Sequence, residues 1–131
     1  METGRNMKYL ADSVFLIELF RKQPKALQKA RNLIGTDVKT TTINAAELYE
    51  GAFRAKQTSR HLLQLDEFWQ RFDPVPFQLH HAKEFGRLKS QYDNIAINDL
   101  LIAAIAKSDQ YTLLTKNTKD FLALGVQIEE W

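Results

Sequence analysis

The apolar run from Leu100 to Ala106 constrains the fold more than any other stretch of this sequence. If the run forms a helix, that helix is apolar on every side, and helices of this kind are normally buried. Asp99 stands immediately before the run, where a carboxylate is costly to ionise unless a partner compensates its charge. The sequence therefore predicts a buried helix that begins beside an acid in need of a partner.

Two further acids occupy comparable places among apolar residues. Asp12 separates residues 9–11 from residues 14–17, and Glu47 lies within the largely apolar segment 43–49. None of the three acids has a basic residue beside it in the sequence. Acids that interrupt core segments in this way suggest a shared cation.

Size and composition restrict the class of protein. The chain has 131 residues, 44% of them hydrophobic and 26% charged, which is typical of one soluble globular domain. We expect residues 1–6 to be a polar lead-in and residues 7–131 to form a single domain. The chain has no cysteine, which excludes disulfides and thiolate metal sites and is compatible with a cytoplasmic location.

Hydropathy and charge narrow the possible partners. The sequence has no apolar run near the ~20 residues that span a bilayer, so we expect no membrane partner. The formal charge of +2 is too small to indicate nucleic-acid binding by itself. A basic exterior around an acidic pocket would suit a phosphate-bearing polymer, whereas from charge alone a set of solvated helix faces is favoured.

Apolar spacing and turn residues predict strands that alternate with helices. Predicted strands are 8–11, 38–42, 111–115 and 126–128, with a short edge strand at 75–77. Predicted helices are 13–21, 25–34, 44–56, 59 to about 72, 78–92, 97–108 and 117–122. Ser13 and Asn44 are possible N-caps. This alternation favours the α/β class, with a mainly parallel sheet covered on both faces.

Four acids fall near the carboxyl ends of the predicted strands, where sites form in such sheets. Asp12 follows the first strand, Glu47 lies in the helix after the second, Asp99 opens the helix before the third, and Asp120 follows that strand. Carboxylates brought together repel one another, and a divalent cation with a preference for oxygen ligands relieves the repulsion.

A carboxylate-bound cation of this kind has a definite chemistry. It can turn a water into a nucleophile and stabilise charge on a phosphodiester. Ser13 or Thr115 could supply a hydroxyl to a metal-bound water.

Each acid also has a purely structural explanation. Asp99 would favour a positive helix N-terminus, Asp12 could be an N-cap, and Asp120 could belong to a turn. Glu47 could be an exposed helix residue. The functional case rests on the coincidence of all four at strand ends of one sheet.

Other polar and aromatic groups give weaker signals. The adjacent His80 and His81 point to different helix faces, so they cannot form an i,i+4 ligand pair, and we predict that both lie on the surface. The apolar stripe that contains Phe68, Trp69 and Phe72 indicates core, or alternatively a partner surface.

Four sequence blocks resemble those of PIN-domain ribonucleases, and specifically the VapC-type toxins of toxin–antitoxin pairs. The blocks span residues 7–13, 42–51, 97–104 and 113–121, and they follow the family's order. The resemblance implies a three-layer α/β/α PIN-like domain with a mainly parallel central sheet. Val14, Ala96 and Asn117 depart from the residues usual at their positions.

The resemblance also implies a site and an activity. Asp12, Glu47 and Asp99 would bind Mg²⁺ or Mn²⁺ and carry the catalysis. The fourth, more variable position is assigned to Asp120, with Asn117 as the other possible equivalent. The protein would be an endoribonuclease that cleaves cellular RNA, tRNA or rRNA in particular, and thereby inhibits translation and growth.

The implied partners are a second copy of the chain and a VapB-type antitoxin. The antitoxin would lie in the groove formed by the helices around residues 44–72, with a basic side chain reaching the acidic pocket. Operator DNA would be contacted through the antitoxin.

Two other functions are compatible with parts of the sequence. A response-regulator receiver also has an acid after its first strand and a Thr-Lys pair like Thr115-Lys116, but it needs an acidic pair where Ala11-Asp12-Ser13 has one acid. A PIN-like fold that only binds partners is the second alternative, and the three central acids argue against it.

Overall fold

The computed structural model of the protein describes residues 7–131, and the predicted lead-in at residues 1–6 lies outside them. The strands are β1 (Lys8–Ala11), β2 (Asp37–Lys39), β3 (Thr112–Leu114) and β4 (Ile128–Glu129). The helices are α1 (Ser13–Phe20), α2 (Pro24–Asn32), α3 (Thr42–Arg54), α4 (Thr58–Arg71), α5 (Leu79–Gln91), α6 (Ile97–Ser108) and α7 (Thr118–Ala123).

The sheet has the order β2-β1-β3-β4 and every pair of neighbours is parallel. Because β1 lies in the middle, Leu10 pairs with Lys39 on one side and with Leu113 on the other. The residues of β3 and the last three of β1 are buried, as expected when helices cover both faces of a parallel sheet.

Alternate side chains of the central strands face two separate cores. Leu10 and Leu113 belong to a cluster with α5, α6 and α7, whereas Tyr9, Ala11 and Leu114 belong to a cluster with α1 to α4. Helices therefore pack on both faces of the sheet. The predicted three-layer α/β/α architecture is confirmed.

The predicted buried helix is also confirmed. In α6, Leu100 and the five residues from Ile102 to Ala106 are buried, with at most 1% of each exposed. Leu88 of α5 and Phe121 of α7 are buried in the same cluster. This packing holds α6 against the sheet, so that the N-terminal end of the helix, with Asp99 in its first turn, has a fixed place.

Every predicted strand except the first has different boundaries in the structure. The second strand ends at Lys39 rather than 42, because the backbone of Thr40 and Thr42 bonds to Val75 instead (Thr40 O to Val75 N 2.8 Å, Thr42 N to Val75 O 3.0 Å). The predicted edge strand at 75–77 is accordingly an isolated bridge between Val75 and Thr41. The last strand begins at Ile128, since the amide of Val126 bonds to the carbonyl of Phe121.

Ser13 and Asn44 are not the N-caps of their helices, whereas the structural alternative that Asp12 is an N-cap is confirmed. Asp12, and not Ser13, caps α1 by accepting a hydrogen bond from the Ser13 amide. Thr41 caps α3, and its hydroxyl oxygen accepts from the amide of Asn44. The Asn44 side chain is thereby free to point into the protein.

The aromatic stripe on α4 divides between core and surface. Phe68 and Trp69 pack against the core cluster of α1 to α4, and the Phe68 ring meets Phe20 edge-on with centroids 5.2 Å apart. Phe72 stacks on Phe68 yet is 53% exposed. Among residues 7–131, no helix is both long and apolar enough to cross a bilayer.

Candidate metal centre

The fold brings the four predicted acids to the carboxyl-end edge of the sheet. Asp12 follows β1, and its amide donates to the carbonyl of Leu114 at the end of β3 (3.0 Å). Glu47 lies on α3, Asp99 in the first turn of α6, and Asp120 in the first turn of α7. Elements from four different parts of the chain therefore meet here.

The carboxylate of Asp12 is surrounded by hydrogen-bond donors. Its Oδ1 accepts from the Ser13 amide (2.9 Å) and from Asn44 Nδ2 (3.1 Å). Its Oδ2 accepts from the hydroxyl of Thr115 (2.7 Å), which is fully buried. Three donors on two oxygens fix the orientation of this acid.

Glu47 is held by two side chains from other elements. Ser13 Oγ donates to Oε1 at 2.7 Å, and Asn98 Nδ2 donates to Oε2 at 3.3 Å. The two hydroxyls considered in the sequence analysis, those of Ser13 and Thr115, thus both donate to carboxylates of the site.

In the part of the chain that the structure describes, Asp99 has a single side-chain hydrogen-bond donor. Burial raises the pKa of Asp99 to about 6, and the negative charges of Asp12, Glu47 and Asp120 act in the same direction. A hydrogen bond from Asn117 Nδ2 to Oδ2 (3.1 Å) opposes the rise. Asp99 therefore interacts electrostatically with each of the other three acids.

Within the described part of the chain, none of the four carboxylates forms a salt bridge with a lysine, arginine or histidine. No three of them, among residues 7–131, offer oxygens that all lie within 4.8 Å of one another. Side-chain amide and hydroxyl groups lie between these carboxylates instead. The donor set, four carboxylates and no sulfur or imidazole, fits Mg²⁺ or Mn²⁺. That these acids bind a metal stays a prediction.

Asn44 and Asn98 contact the acids but were not identified from the sequence. A signal for Asn44 was present, because it precedes Glu47 by three positions and helical residues at that spacing share a face. Asn98 adjoins Asp99 and reaches across to Glu47 instead. Its partner depends on the packing of α3 near α6, which spacing does not reveal.

The prediction of two surface histidines is wrong for His81, which is fully buried. Its Nδ1 accepts from the backbone amide of Gln78 (2.9 Å), and its Nε2 lies 2.8 Å from Asp109 Oδ2. His80 Nε2 contacts the other oxygen of Asp109 at 2.9 Å. Burial follows because the His81 ring caps α5 and reaches the C-terminal end of α6 at the same time.

The histidine pair and Asp109 offer three ligand atoms within 4.8 Å of one another. His81 is nevertheless unsuited to hold a metal. Since its Nδ1 accepts an amide hydrogen, the ring proton must be on Nε2, where it is donated to Asp109. A metal-binding histidine normally has the opposite arrangement, with the nitrogen remote from the metal acting as the donor.

A family model for the PIN domain matches residues 9–126. The chain therefore belongs to the PIN domain family, which confirms the class predicted from the four sequence blocks. The parallel sheet flanked by helices agrees with this assignment.

Within the family, the chain is similar to VapC proteins. It is 27% identical over 130 residues to ribonuclease VapC2 of Haemophilus influenzae, covering 95% of this chain and 98% of that protein. It is 22% identical over 130 residues to the tRNA(fMet)-specific endonuclease VapC of Shigella flexneri, with the same coverage. The solved structure of VapBC2 from Rickettsia felis bound to a promoter DNA fragment matches with a TM-score of 0.84 and 26% identity, covering 95% of this chain and 99% of that one. The predicted resemblance to VapC-type toxins is confirmed.

Proposed function

We propose that the protein is an endoribonuclease that depends on a divalent cation, Mg²⁺ or Mn²⁺, held by Asp12, Glu47, Asp99 and Asp120. The observation that carries this proposal is the state of Asp99. It is half-buried near three other acids, and its pKa is raised by burial and by their charges. A divalent cation would remove the repulsion that the protein side chains leave in place.

The surrounding residues have distinct roles in this proposal. Three donors orient Asp12, and Ser13 orients Glu47. When bound, the cation supplies a polarised water and stabilises charge on the phosphodiester. With a pKa of about 6, Asp99 is mainly ionised at neutral pH and able to act as a ligand.

Asp120 is the better candidate than Asn117 for the fourth ligand. Asp120 acts on Asp99 through its charge, which a cation would neutralise. Asn117 instead donates its amide hydrogen to Asp99 Oδ2, as a residue that orients the acid does. We therefore assign Asn117 to orientation and Asp120 to the cation.

We propose cellular RNA as the substrate, with tRNA or rRNA as the target and inhibition of translation and growth as the consequence. The ribonuclease and tRNA endonuclease names of the relatives support this substrate class. The exposed Lys119 adjoins Asp120 in the sequence and suits a phosphate backbone. Such an enzyme would work in the cytoplasm, as one domain formed by residues 7–131.

Cleavage of total tRNA and rRNA with Mn²⁺, with and without chelator, tests the activity. We expect Asp99→Asn to lower the rate by about 10²–10³-fold while the fold survives, because the loss of one electrostatic stabiliser commonly has that effect. Asp109→Asn, at the opposite end of α6, should cleave like the wild type. Cleavage that persists in chelator, or an Asp99→Asn rate equal to wild type, would refute the proposal. RNA binding without any cleavage would favour the alternative of a binding module.

We propose further that a VapB-type antitoxin occupies the groove between α1, α3 and α4. This groove has a volume of about 450 Å³, with Phe20, Leu48 and Leu65 among its apolar walls and Glu47 also lining it. A basic side chain of the antitoxin could follow the groove to Glu47 and block the acidic site. The antitoxin complex and promoter DNA of the Rickettsia felis structure support such a partner, and operator contact through it.

Two matched glycines test the groove. Gly51 lines it, Gly86 lies on α5, and a Cβ at either position meets nothing within 4 Å. Gly51→Trp should abolish copurification with the cognate antitoxin, whereas Gly86→Trp should not. Equal copurification would exclude this groove. We also propose that two copies of the chain form a homodimer, and size-exclusion chromatography with light scattering tests this oligomeric state.

A further inference from the structure

A chain of hydrogen-bonded polar side chains links two acids of the site through Asn44. Thr41, Asn44 and Thr115 are all fully buried. Asn44 Nδ2 lies 3.1 Å from Asp12 Oδ1 and 3.0 Å from Ser13 Oγ. Asn44 Oδ1 lies 2.7 Å from the hydroxyl of Thr41. The amide therefore uses both of its hydrogens and its oxygen inside the protein.

The direction of every hydrogen bond in this chain is determined. An ionised carboxylate only accepts, so the NH₂ group of Asn44 must face Asp12. Its second hydrogen goes to Ser13 Oγ, which in turn donates to Glu47 Oε1 at 2.7 Å. The Thr41 hydroxyl donates to Asn44 Oδ1, while its oxygen accepts the Asn44 backbone amide at 3.1 Å. The amide has one stable orientation.

The other two amides at the site have a different character. Asn98 donates to Glu47 and Asn117 donates to Asp99, but both side chains are exposed to solvent. Water can replace either donor. The Asn44 side chain is itself fully buried, so a polar group there is costly to leave unsatisfied.

We propose that Asn44 is a positioning residue that fixes Asp12 and Glu47 relative to each other before the cation binds. Asp12 and Ser13 start α1, whereas Asn44 and Glu47 lie on α3. Asn44 donates to Asp12 directly and reaches Glu47 through Ser13, so one side chain sets both acids. This inference rests on the metal site proposed above.

Calorimetric titration with Mn²⁺ measures this role without a cleavage assay. Asn44→Ala should weaken Mn²⁺ binding by about tenfold or more, which is the usual effect of removing a group that orients a metal ligand. Ser13→Ala should weaken it too, and the double variant should fall short of the product of the two effects, because both residues belong to one path.

Thr40 and Thr41 provide a matched pair. Both are buried and each donates one hydroxyl hydrogen bond, Thr40 to the carbonyl of Ala11 (2.8 Å) and Thr41 to Asn44. Thr41→Val removes the partner that holds the Asn44 amide in place and should weaken Mn²⁺ binding several-fold. Thr40→Val should lower the melting temperature and leave Mn²⁺ affinity unchanged. If Asn44→Ala does not fold, this pair decides the question.

The outcomes separate this inference from the proposed function. If Mn²⁺ binds the wild type no more tightly than it binds Asp99→Asn, the proposed metal site is wrong. If Mn²⁺ binding depends on Asp99 but is the same in wild type, Asn44→Ala and Thr41→Val, the metal site stands and the positioning role is overturned. Equal losses of Mn²⁺ affinity in Thr40→Val and Thr41→Val would also overturn it, since both would then reflect general loosening.

Discussion

The two ends of α6 each carry an aspartate, and the two differ in a way that the helix dipole does not explain. Asp99 lies in the first turn, where the positive end of the dipole favours a carboxylate. Asp109 is the C-cap, where the negative end disfavours one. Yet the pKa of Asp99 is raised to about 6 and the pKa of Asp109 is lowered.

The neighbours of each carboxylate account for the reversal. At Asp99, burial and three like charges raise the pKa, against one amide donor. At Asp109, burial also pushes the pKa upward, but hydrogen bonds from His81 and His80 push it down and prevail. Specific partners thus outweigh the dipole. One end of α6 is a satisfied structural junction, and the other keeps uncompensated charge, as a cation site requires.

The largest expected effect on stability is at the C-terminal end of α6, where Asp109 has hydrogen-bond partners. His81→Leu keeps the volume of the ring but leaves the Gln78 amide and one oxygen of Asp109 without a partner. Both groups are partly buried, and losing such a partner costs roughly 1–3 kcal/mol for each, so we expect the free energy of unfolding to fall by about 3 kcal/mol in urea titration.

His80→Leu is the control, because it removes the other hydrogen bond to the same carboxylate. The His80 side chain is 54% exposed, against 1% for His81, so its contact is exchangeable with water. We expect a loss below about 1 kcal/mol. Equal losses of unfolding free energy in the two variants would show that burial of the hydrogen bond does not determine its contribution to stability.

The next largest effect on stability is expected at the N-terminal end of α6, where the charge of Asp99 is uncompensated. Mn²⁺ at a hundredfold excess over its dissociation constant should stabilise the folded state by about 2.7 kcal/mol, if it binds only that state. Differential scanning calorimetry should therefore register a rise of several degrees in wild type and in Asp109→Asn, but little rise in Asp99→Asn. A rise that depends on Asp109 instead would assign the cation to the histidine cluster.

The smallest effect is the pH dependence of the metal-free protein. A carboxyl group whose folded pKa lies above its unfolded value binds more protons when folded, so stability falls as pH rises from about 4 through about 6. Asp99 is partly exposed, so we expect solvent to reduce the penalty at pH 7.5 to about 1 kcal/mol. Metal-free Asp99→Asn should accordingly be more stable than wild type at pH 7.5 and equal to it near pH 4.

For Asp109, the pH dependence of stability has the opposite sign. Its lowered pKa contributes stability that is present above about pH 4 and is lost as pH falls through the folded value. In urea titrations between pH 2.5 and 7.5, the unfolding free energy of Asp109→Asn should therefore approach that of wild type at the acid end.

For Asp99, the contradicting outcome is the opposite order of stability. If metal-free wild type melts above Asp99→Asn at pH 7.5, the repulsion among the acids has been misjudged.

The sequence by itself determined the α/β class, the buried α6 and the position of four acids near strand ends. Apolar periodicity and strand order are local properties, and side chains at the carboxyl ends of parallel strands meet whatever the details of packing. Even the residues that resemble the PIN family are contiguous blocks. Those features therefore needed no three-dimensional information.

Only the tertiary structure decided which groups satisfy those acids. Asn44 contacts Asp12 across 32 positions of sequence, Thr115 contacts it across 103, and His81 reaches Asp109 across 28. Hydrogen bonds have a short range and a strict direction, so small shifts in how the helices pack decide which partner each carboxylate has. The direction of the hydrogen bonds around Asn44 depends on that packing. The burial of His81 and the unpaired charge of Asp99 depend on it too.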